Sequence, residues 1–269
     1  MKRIPEALEI VLILWLMAGS LFAQQYNESN DFSYALKLYN EHFYDVAAKQ
    51  FASFINRYPG SERLPDARYY YAESLYHMNE IEDARIEFQS LAVSYPDHPR
   101  AAEAWQKVGE CYRKLNKLEE AAKAYETIKI LYPENALAPR ALLDAAACYI
   151  NVDQFAKAEQ VLRDFLDRYP EYSGYSRGHI LYGNLLLKKG ELERADTQFR
   201  KALTIGEDPR VKAEAQLGLA AVFQQLGLRN RAVETLTAVA GAQGGTEVGF
   251  RAVERLAQIR LEGREWEAA

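Results

Sequence analysis

A dipeptide recurs at a fixed interval along much of this chain. Tyr-Pro occurs at residues 58–59, 95–96, 132–133 and 169–170, and each step is 37 residues. Pro cannot donate a backbone hydrogen bond, and it disfavours helical geometry in the residue before it. A fixed interval of this size is typical of stacked structural repeats, so each Tyr-Pro is predicted to end a helix of its repeat.

Two columns of small residues keep the same 37-residue interval. The first column contains Ala35, Ala72, Gly109, Ala146, Gly183 and Ala220. The second contains Ala47, Ala84, Ala121, Ala158, Ala195 and Ala232. Within each repeat the apolar residues recur at spacings of three and four, which indicates helices. We therefore expect each repeat to be a pair of antiparallel helices that approach closely at the small residues.

The third repeat carries these residue types in a known order. The residues are Trp105, Val108, Gly109, Tyr112, Ala121, Tyr125 and Pro133. This order resembles the tetratricopeptide repeat (TPR) signature. The resemblance covers residues 28–269 and implies an all-α fold, a right-handed superhelical solenoid of helix hairpins. Six repeats are expected, at residues 28–61, 65–98, 102–135, 139–172, 176–209 and 213–246.

The two columns continue into residues 250–269, where Ala257 and Ala269 keep the interval. One interpretation is a lone helix that caps the array, because terminal repeats need a polar outer face. The other is a partial seventh repeat of a longer array. In that case the chain would be the N-terminal TPR module of a longer envelope enzyme or sensor.

The first residues differ in character from the repeats. Lys2 and Arg3 precede an apolar run at residues 10–18, and Ala23 is followed by a polar segment. This is the pattern of a secretory signal peptide. We expect a cleavable signal peptide at residues 1–23 and a short polar linker at 24–31. The alternative is an uncleaved anchor, although the run is shorter than the roughly 20 residues that a spanning helix needs.

The two cysteines occupy equivalent positions in neighbouring repeats, because Cys111 and Cys148 are also 37 residues apart. Equivalent points in stacked helices lie about 8–10 Å apart, whereas a disulfide joins Cα atoms about 4.4–6.8 Å apart. We therefore expect two buried free thiols. No Cys follows Ala23, so we do not expect an acylated N-terminal cysteine, and the protein is not predicted to be a lipoprotein.

Charge and motif content favour neither nucleic-acid binding nor catalysis. The formal net charge is -5, whereas nucleic-acid-binding domains usually carry a basic face. The four histidines, at positions 42, 77, 98 and 179, show no metal-ligand spacing, and no P-loop, nucleophile elbow or dinucleotide motif occurs. We expect no catalytic residue, no metal site and no cofactor.

The TPR resemblance implies that the first helix of each repeat lines a concave groove for a protein or peptide partner. The groove residues expected from it are Phe32, Tyr39, Tyr69, Glu73, Tyr76, His77, Gln106, Glu110, Arg113, Leu143, Ile180, Asn184, Leu187 and Leu217. Exposed Tyr and large apolar side chains are typical of binding hot spots. The alternative is that these side chains pack against the neighbouring repeat.

Some TPR domains hold a peptide's terminal carboxylate with Lys and Asn side chains. This chain has Phe32, Leu36, Tyr69 and Glu73 at those positions. The departure puts such a clamp, and with it the binding of chaperone tails, in doubt.

The Tyr-Pro endings, the interval and the export signal together resemble bacterial cell-envelope TPR proteins of the Tol-Pal-associated coordinator or outer-membrane-assembly type. The resemblance implies a scaffold in the periplasm or at the outer-membrane periphery, associated with the envelope through its partners. The coordinators carry a coiled coil before their repeats, and the assembly proteins carry an acylated cysteine. This chain departs from both patterns, so neither group's partner is implied.

Overall fold

A computed structural model describes residues 27–262. The predicted signal peptide and the small residue at position 269 lie outside the described residues. All regular secondary structure within 27–262 is helical, which confirms the predicted all-α class. Residues 27–31, expected to belong to a polar linker, lie instead within the first helix.

Thirteen helices occupy the described part of the chain. Helix α1 covers residues 27–40. The others are α2 (Tyr44–Arg57), α3 (Leu64–His77), α4 (Ile81–Ser94), α5 (Ala101–Lys114), α6 (Leu118–Leu131), α7 (Ala138–Asn151), α8 (Phe155–Arg168), α9 (Tyr175–Lys188), α10 (Leu192–Ile205), α11 (Pro209–Gln225), α12 (Arg229–Ala242) and α13 (Glu247–Glu262). We call the odd-numbered helices first helices and the even-numbered ones second helices. The second helices all begin 37 residues apart.

The helices fall into two compact units. The N-terminal unit extends to Lys117 and contains α1–α5, and the C-terminal unit begins at Leu118 and contains α6–α13. Within each unit, a helix packs against the next one along the chain and, in the C-terminal unit, neighbouring first helices also contact each other. None of the described helices is long and apolar enough to cross a membrane.

The Tyr-Pro pairs end second helices, as predicted. Tyr58, Tyr95 and Tyr169 are the C-cap residues of α2, α4 and α8. The Tyr58 ring lies 5.0 Å from the ring of Phe54, one turn earlier in the same helix. The rigid Pro that follows cannot continue the helix. Each pair therefore stops its helix, and at Tyr58 and Tyr169 the aromatic ring also packs back onto the helix.

The turns after the first helices share one backbone geometry. A residue with positive φ occurs at each of six positions, 37 residues apart: His42, Asn79, Asn116, Asp153, Gly190 and Gly227. The next residue donates its backbone N–H to a carbonyl five residues back, as Phe43 does to Leu38 at 2.9 Å. This is the hydrogen bond of a Schellman motif, which satisfies the last carbonyls of a helix. Asn, Asp and Gly tolerate the left-handed conformation best.

Both columns of small residues are buried. All six members of the alanine column, from Ala47 to Ala232, are fully buried. Four residues after each of them stands a large side chain that is also fully buried: Phe51, Phe88, Tyr125, Leu162, Phe199 and Leu236. Each second helix thus presents one small and one large residue, a turn apart, to the interior.

Phe199 shows why the facing first helices need small residues. A Cβ atom added at Gly218 of α11 would lie 2.2 Å from Cε1 of the Phe199 ring. One added at Gly183 of α9 would lie 2.6 Å from the same atom. The ring of α10 is therefore enclosed by glycines of two first helices.

Cys111 and Cys148 form no disulfide and both are buried, as predicted. Burial raises the pKa of the Cys111 thiol to about 12, with a smaller contribution from the charge of Glu110. A thiol of this kind stays protonated at neutral pH and is a poor nucleophile.

Gly218→Ala is expected to destabilise the protein by about 1–3 kcal/mol, because the fully buried Phe199 ring has no room to move away from the new methyl group. Gly241→Ala is the matched control, since a Cβ there has no atom within 4 Å, and it should cause no loss of stability. Urea denaturation followed by circular dichroism measures both variants. Equal stability of the two would contradict the proposed packing.

A charged network joins α8 to α9 and α10. The carboxylate of Glu159 accepts hydrogen bonds from Arg163 at 2.7 Å, Tyr182 at 3.1 Å and Lys189 at 2.8 Å. The Lys189 hydrogen bond does most to lower the pKa of Glu159, to about 2, while burial acts in the opposite direction. The network therefore favours the ionised carboxylate in the folded state.

The low pKa of Glu159 makes this network's contribution depend on pH. Because the folded pKa lies below the ordinary value of 4.5, the stabilisation is present above about pH 4.5 and is lost as the pH falls toward 2. Glu159→Gln should cost about 1 kcal/mol at pH 7, since exposed partners screen the charge, and less at pH 3. Denaturation at both pH values tests this, with the exposed Glu193→Gln as control; equal losses at the two pH values would count against it.

Candidate functional site

An aromatic cluster lies on the N-terminal unit, where α1, α2 and α3 meet. The ring of Tyr39 lies 5.6 Å from that of Tyr44 and 5.1 Å from that of Tyr70. The His77 ring is stacked on Tyr44, with centroids 4.2 Å apart and planes 10° apart. His77 is exposed and Tyr39 and Tyr44 are half-buried, so the cluster reaches the surface.

A buried carboxylate joins the three first helices of this unit. Glu73 of α3 is only 6% exposed. Its Oε2 accepts a hydrogen bond from Tyr39 Oη of α1 at 3.2 Å, and its Oε1 lies 2.8 Å from Lys107 Nζ of α5. A buried charge is tolerated only when it is paired. Glu73 therefore fixes the spacing of α1, α3 and α5 beneath the aromatic cluster.

The charges of this pair shift the pKa values of its neighbours. Burial alone would lower the pKa of Lys107, but the hydrogen bond and charge of Glu73 raise it above its usual value. Burial, followed by the charge of Glu73, raises the pKa of Tyr39. Lys107 therefore remains an ammonium group and Tyr39 a hydrogen-bond donor at physiological pH.

Two lysines flank the ring of Tyr76. Lys107 Nζ lies 5.1 Å from the ring centroid, and Lys114 Nζ lies 3.8 Å from it. Cation–π pairs of this kind hold an aromatic ring in place at a surface. Tyr76 is half-buried, so part of its side chain remains accessible to solvent.

The predicted groove residues of the N-terminal unit separate into two groups. Phe32, Tyr69, Glu73 and Gln106 are at least 93% buried. The Phe32 ring packs against Phe54 of its own repeat at 5.5 Å and against Tyr70 of the next repeat at 6.5 Å, and the second contact is the packing alternative considered for the groove residues. The remaining predicted residues keep accessible surface: Tyr39, Tyr76 and Glu110 are half-buried, and His77 and Arg113 are exposed.

The C-terminal unit brings four of its five predicted groove residues together. Ile180, Asn184, Leu187 and Leu217 line one cavity of about 80 Å³ on the first helices. The cavity is also lined by Glu214, Gly218, Ala221, Arg251 and Arg255. Leu143 is buried outside this cavity. Leu217 and Ile180 expose only 2% and 5% of their surface, whereas Asn184 and Leu187 are half-buried.

The two cavity arginines were missed in the sequence because their positions within the repeat supplied no groove candidate in any earlier repeat. Arg251 and Arg255 lie on α13, one interval after Glu214 and Gly218 of α11. Moving the predicted groove position Leu217 by one more interval gives Glu254 instead, so the interval alone does not identify either arginine.

The histidines have structural surroundings. His42 occupies a left-handed turn and its ring contacts the Tyr44 hydroxyl at 2.7 Å. His179 is buried beside Gln198 at 2.8 Å, and burial lowers its pKa. His98 accepts a hydrogen bond from the backbone of Arg100. No group of three His, Cys, Asp or Glu side chains suited to a metal ion occurs within residues 27–262.

These features define a helical-repeat protein in which side chains of the first helices remain accessible to solvent. Tetratricopeptide repeat models match residues 35–99, 102–135, 140–172 and 176–208. The chain belongs to the TPR family. Proteins of this family are generally non-catalytic scaffolds that bind protein or peptide partners. No curated protein of similar sequence was found.

Solved structures share the fold. A tetratricopeptide repeat protein from Parabacteroides merdae ATCC 43184 has a TM-score of 0.69 and 17% identity, with 89% of this chain and 88% of that chain covered. PilW, a widely conserved type IV pilus biogenesis factor, has a TM-score of 0.58 and 19% identity, with 84% and 98% covered. YrrB, a TPR protein with an unusual peptide-binding site, has a TM-score of 0.54 and 19% identity, with 77% and 99% covered. These likenesses confirm the predicted fold class.

Lys107→Met should destabilise the N-terminal unit by about 3 kcal/mol, because it leaves the buried Glu73 carboxylate without its cation. Adding Glu73→Gln to that variant should restore part of the loss, giving a coupling of about 1–3 kcal/mol. Urea denaturation of the two single variants and the double variant measures this coupling. The exposed Lys37→Met on α1 is the control. Additive effects of the two substitutions would contradict the role assigned to Glu73.

Proposed function

We propose that this protein is a non-catalytic scaffold that binds a protein or peptide partner on the first-helix faces of its units. The observation that carries the proposal is the aromatic surface of the N-terminal unit. There Tyr39, Tyr76 and His77 keep accessible area above the rigid Glu73–Lys107 pair. Aromatic side chains on a preorganised base lose little conformational entropy on binding, and they are typical of interface hot spots.

We also propose that the protein is exported to the bacterial cell envelope. The basic start, the apolar run and Ala23 in residues 1–23 support export through a cleavable signal peptide. Its place would be the periplasm or the outer-membrane periphery, where partners would provide the association with the envelope. The fold of this chain is shared with PilW, a type IV pilus biogenesis factor, and this likeness is compatible with the proposal.

In-cell photo-crosslinking tests the binding proposal. A benzoylphenylalanine probe replaces Tyr76 in the N-terminal unit or Leu187 in the C-terminal unit, both half-buried first-helix residues. Lys123, exposed on the second helix α6, is the matched control. We expect a dominant protein adduct at one or both first-helix positions and none at Lys123. The absence of adducts at both, or equal labelling at Lys123, would refute binding at these faces.

The export proposal is tested on the same cells. Mass spectrometry of the protein from the envelope fraction should give a mature N-terminus at Gln24. A protein that retains Met1 and stays in the cytoplasmic fraction would refute export.

A further inference from the structure

The cavity of the C-terminal unit combines apolar walls with two arginines. Ile180 and Leu187 of α9 and Leu217 of α11 form the apolar side, and Arg251 and Arg255 of α13 form the other. All five residues lie on first helices, which contact one another in the order α9, α11, α13. A ligand in this cavity would therefore meet an apolar surface and a cationic one at once.

The backbone holds one of these arginines in place. Arg255 Nη1 donates a hydrogen bond to the carbonyl oxygen of Leu217, at 2.9 Å. Arg255 is half-buried, whereas Arg251, one helical turn earlier, is exposed. The hydrogen bond uses only one edge of the guanidinium group, which has five donors in a planar fork. The guanidinium group of Arg255 is thus held in one orientation, and its other N–H groups can still donate hydrogen bonds to a ligand.

No salt bridge to another described residue neutralises the arginine pair. Burial lowers the pKa of Arg255 most, the charge of Arg251 lowers it further, and Glu254 acts in the opposite direction. Like charges four residues apart on a helix repel each other. Among the residues that line the cavity, Glu214 is the one carboxylate beside two guanidinium groups, so the lining carries a net positive charge.

We propose that this cavity binds an acidic side chain of a partner protein, with apolar side chains next to it in the partner's sequence resting on Ile180, Leu187 and Leu217. The inference deepens the proposed scaffold function and depends on it. A carboxylate between Arg251 and Arg255 would supply the missing counter-charge and remove their mutual repulsion. Arg–carboxylate hydrogen bonds are charge-assisted and often bidentate, which makes them strong and directional.

The half-buried amide of Asn184 completes the recognition chemistry. It lies on α9 beside the apolar residues of the cavity. An amide offers both a donor and an acceptor, which suits the backbone of an extended partner segment. The chemistry therefore favours an Asp or Glu within a continuous segment, in which the backbone runs past the cavity on both sides.

Selection from random peptides tests this inference without a known partner. The probe is a library of twelve-residue peptides inserted into a carrier protein, so that no peptide has a free carboxyl terminus. The bait is the full chain, either wild type, Arg251→Gln/Arg255→Gln or the control Arg163→Gln/Arg200→Gln. The control removes the same charge from the second helices α8 and α10, where each arginine side chain is exposed and pairs with a carboxylate four residues earlier on its own helix.

We expect the wild-type protein to enrich peptides with Asp or Glu beside large apolar residues. Synthetic, amidated versions of these peptides should bind the cavity variant at least about tenfold more weakly, the loss expected for a charge-assisted hydrogen bond. The control should bind within about twofold of wild type. Because Arg255→Gln also removes the bond to Leu217, the exposed Arg251→Glu is tested alone; it should weaken binding similarly without loss of helicity.

The outcomes separate the inference from the broader function. Enriched peptides without acidic residues, or acidic peptides that bind the cavity variants as well as wild type, would overturn the inference and leave the scaffold function standing. Binding of synthetic peptides only as free acids would overturn it in favour of a terminal carboxylate. Failure to enrich any peptide, together with no photo-adducts, would overturn both.

Discussion

The burial of a small residue and a large one on each second helix is the contact on which the rest of the structure depends. Phe199 illustrates it, since its ring occupies space that glycines at 183 and 218 leave open. A methyl group at either position would collide with the ring. The helix spacing follows from this fit, and the spacing in turn determines which side chains of the first helices remain accessible. The candidate binding faces consist of the first-helix side chains that this interior packing leaves accessible.

Much of the fold could be predicted from the 37-residue interval, because interior positions tolerate few residue types. The alanine column and the Tyr-Pro endings behaved as expected for this reason. The turn column was missed, although it keeps the same interval, since His, Asn, Asp and Gly share no chemical property except tolerance of positive φ. A search for residues that accept left-handed geometry, rather than for similar side chains, would have found it.

The binding faces were harder to predict than the fold. Within a unit, a first helix packs against the second helices next to it along the chain, and in the C-terminal unit also against neighbouring first helices, so little of its surface remains free. Phe32 and Tyr69, placed in the groove by helical spacing, are therefore buried. Spacing shows which way a residue points on an isolated helix, but it does not show how far a neighbouring helix covers it. Half-buried residues such as Tyr76 and Leu187 lie at the edge of the surface that the neighbouring helices cover.

The shared turn geometry has a consequence for how the chain reaches its fold. Each Schellman turn is closed by a hydrogen bond between residues only five apart, and within each unit a helix packs mainly on the next one along the chain. Contacts that are short in sequence cost little loop-closure entropy, and proteins rich in them fold fast. The 37-residue interval is therefore also a limit on the conformational search, because the helices of residues 27–262 find their partners within about one repeat along the chain.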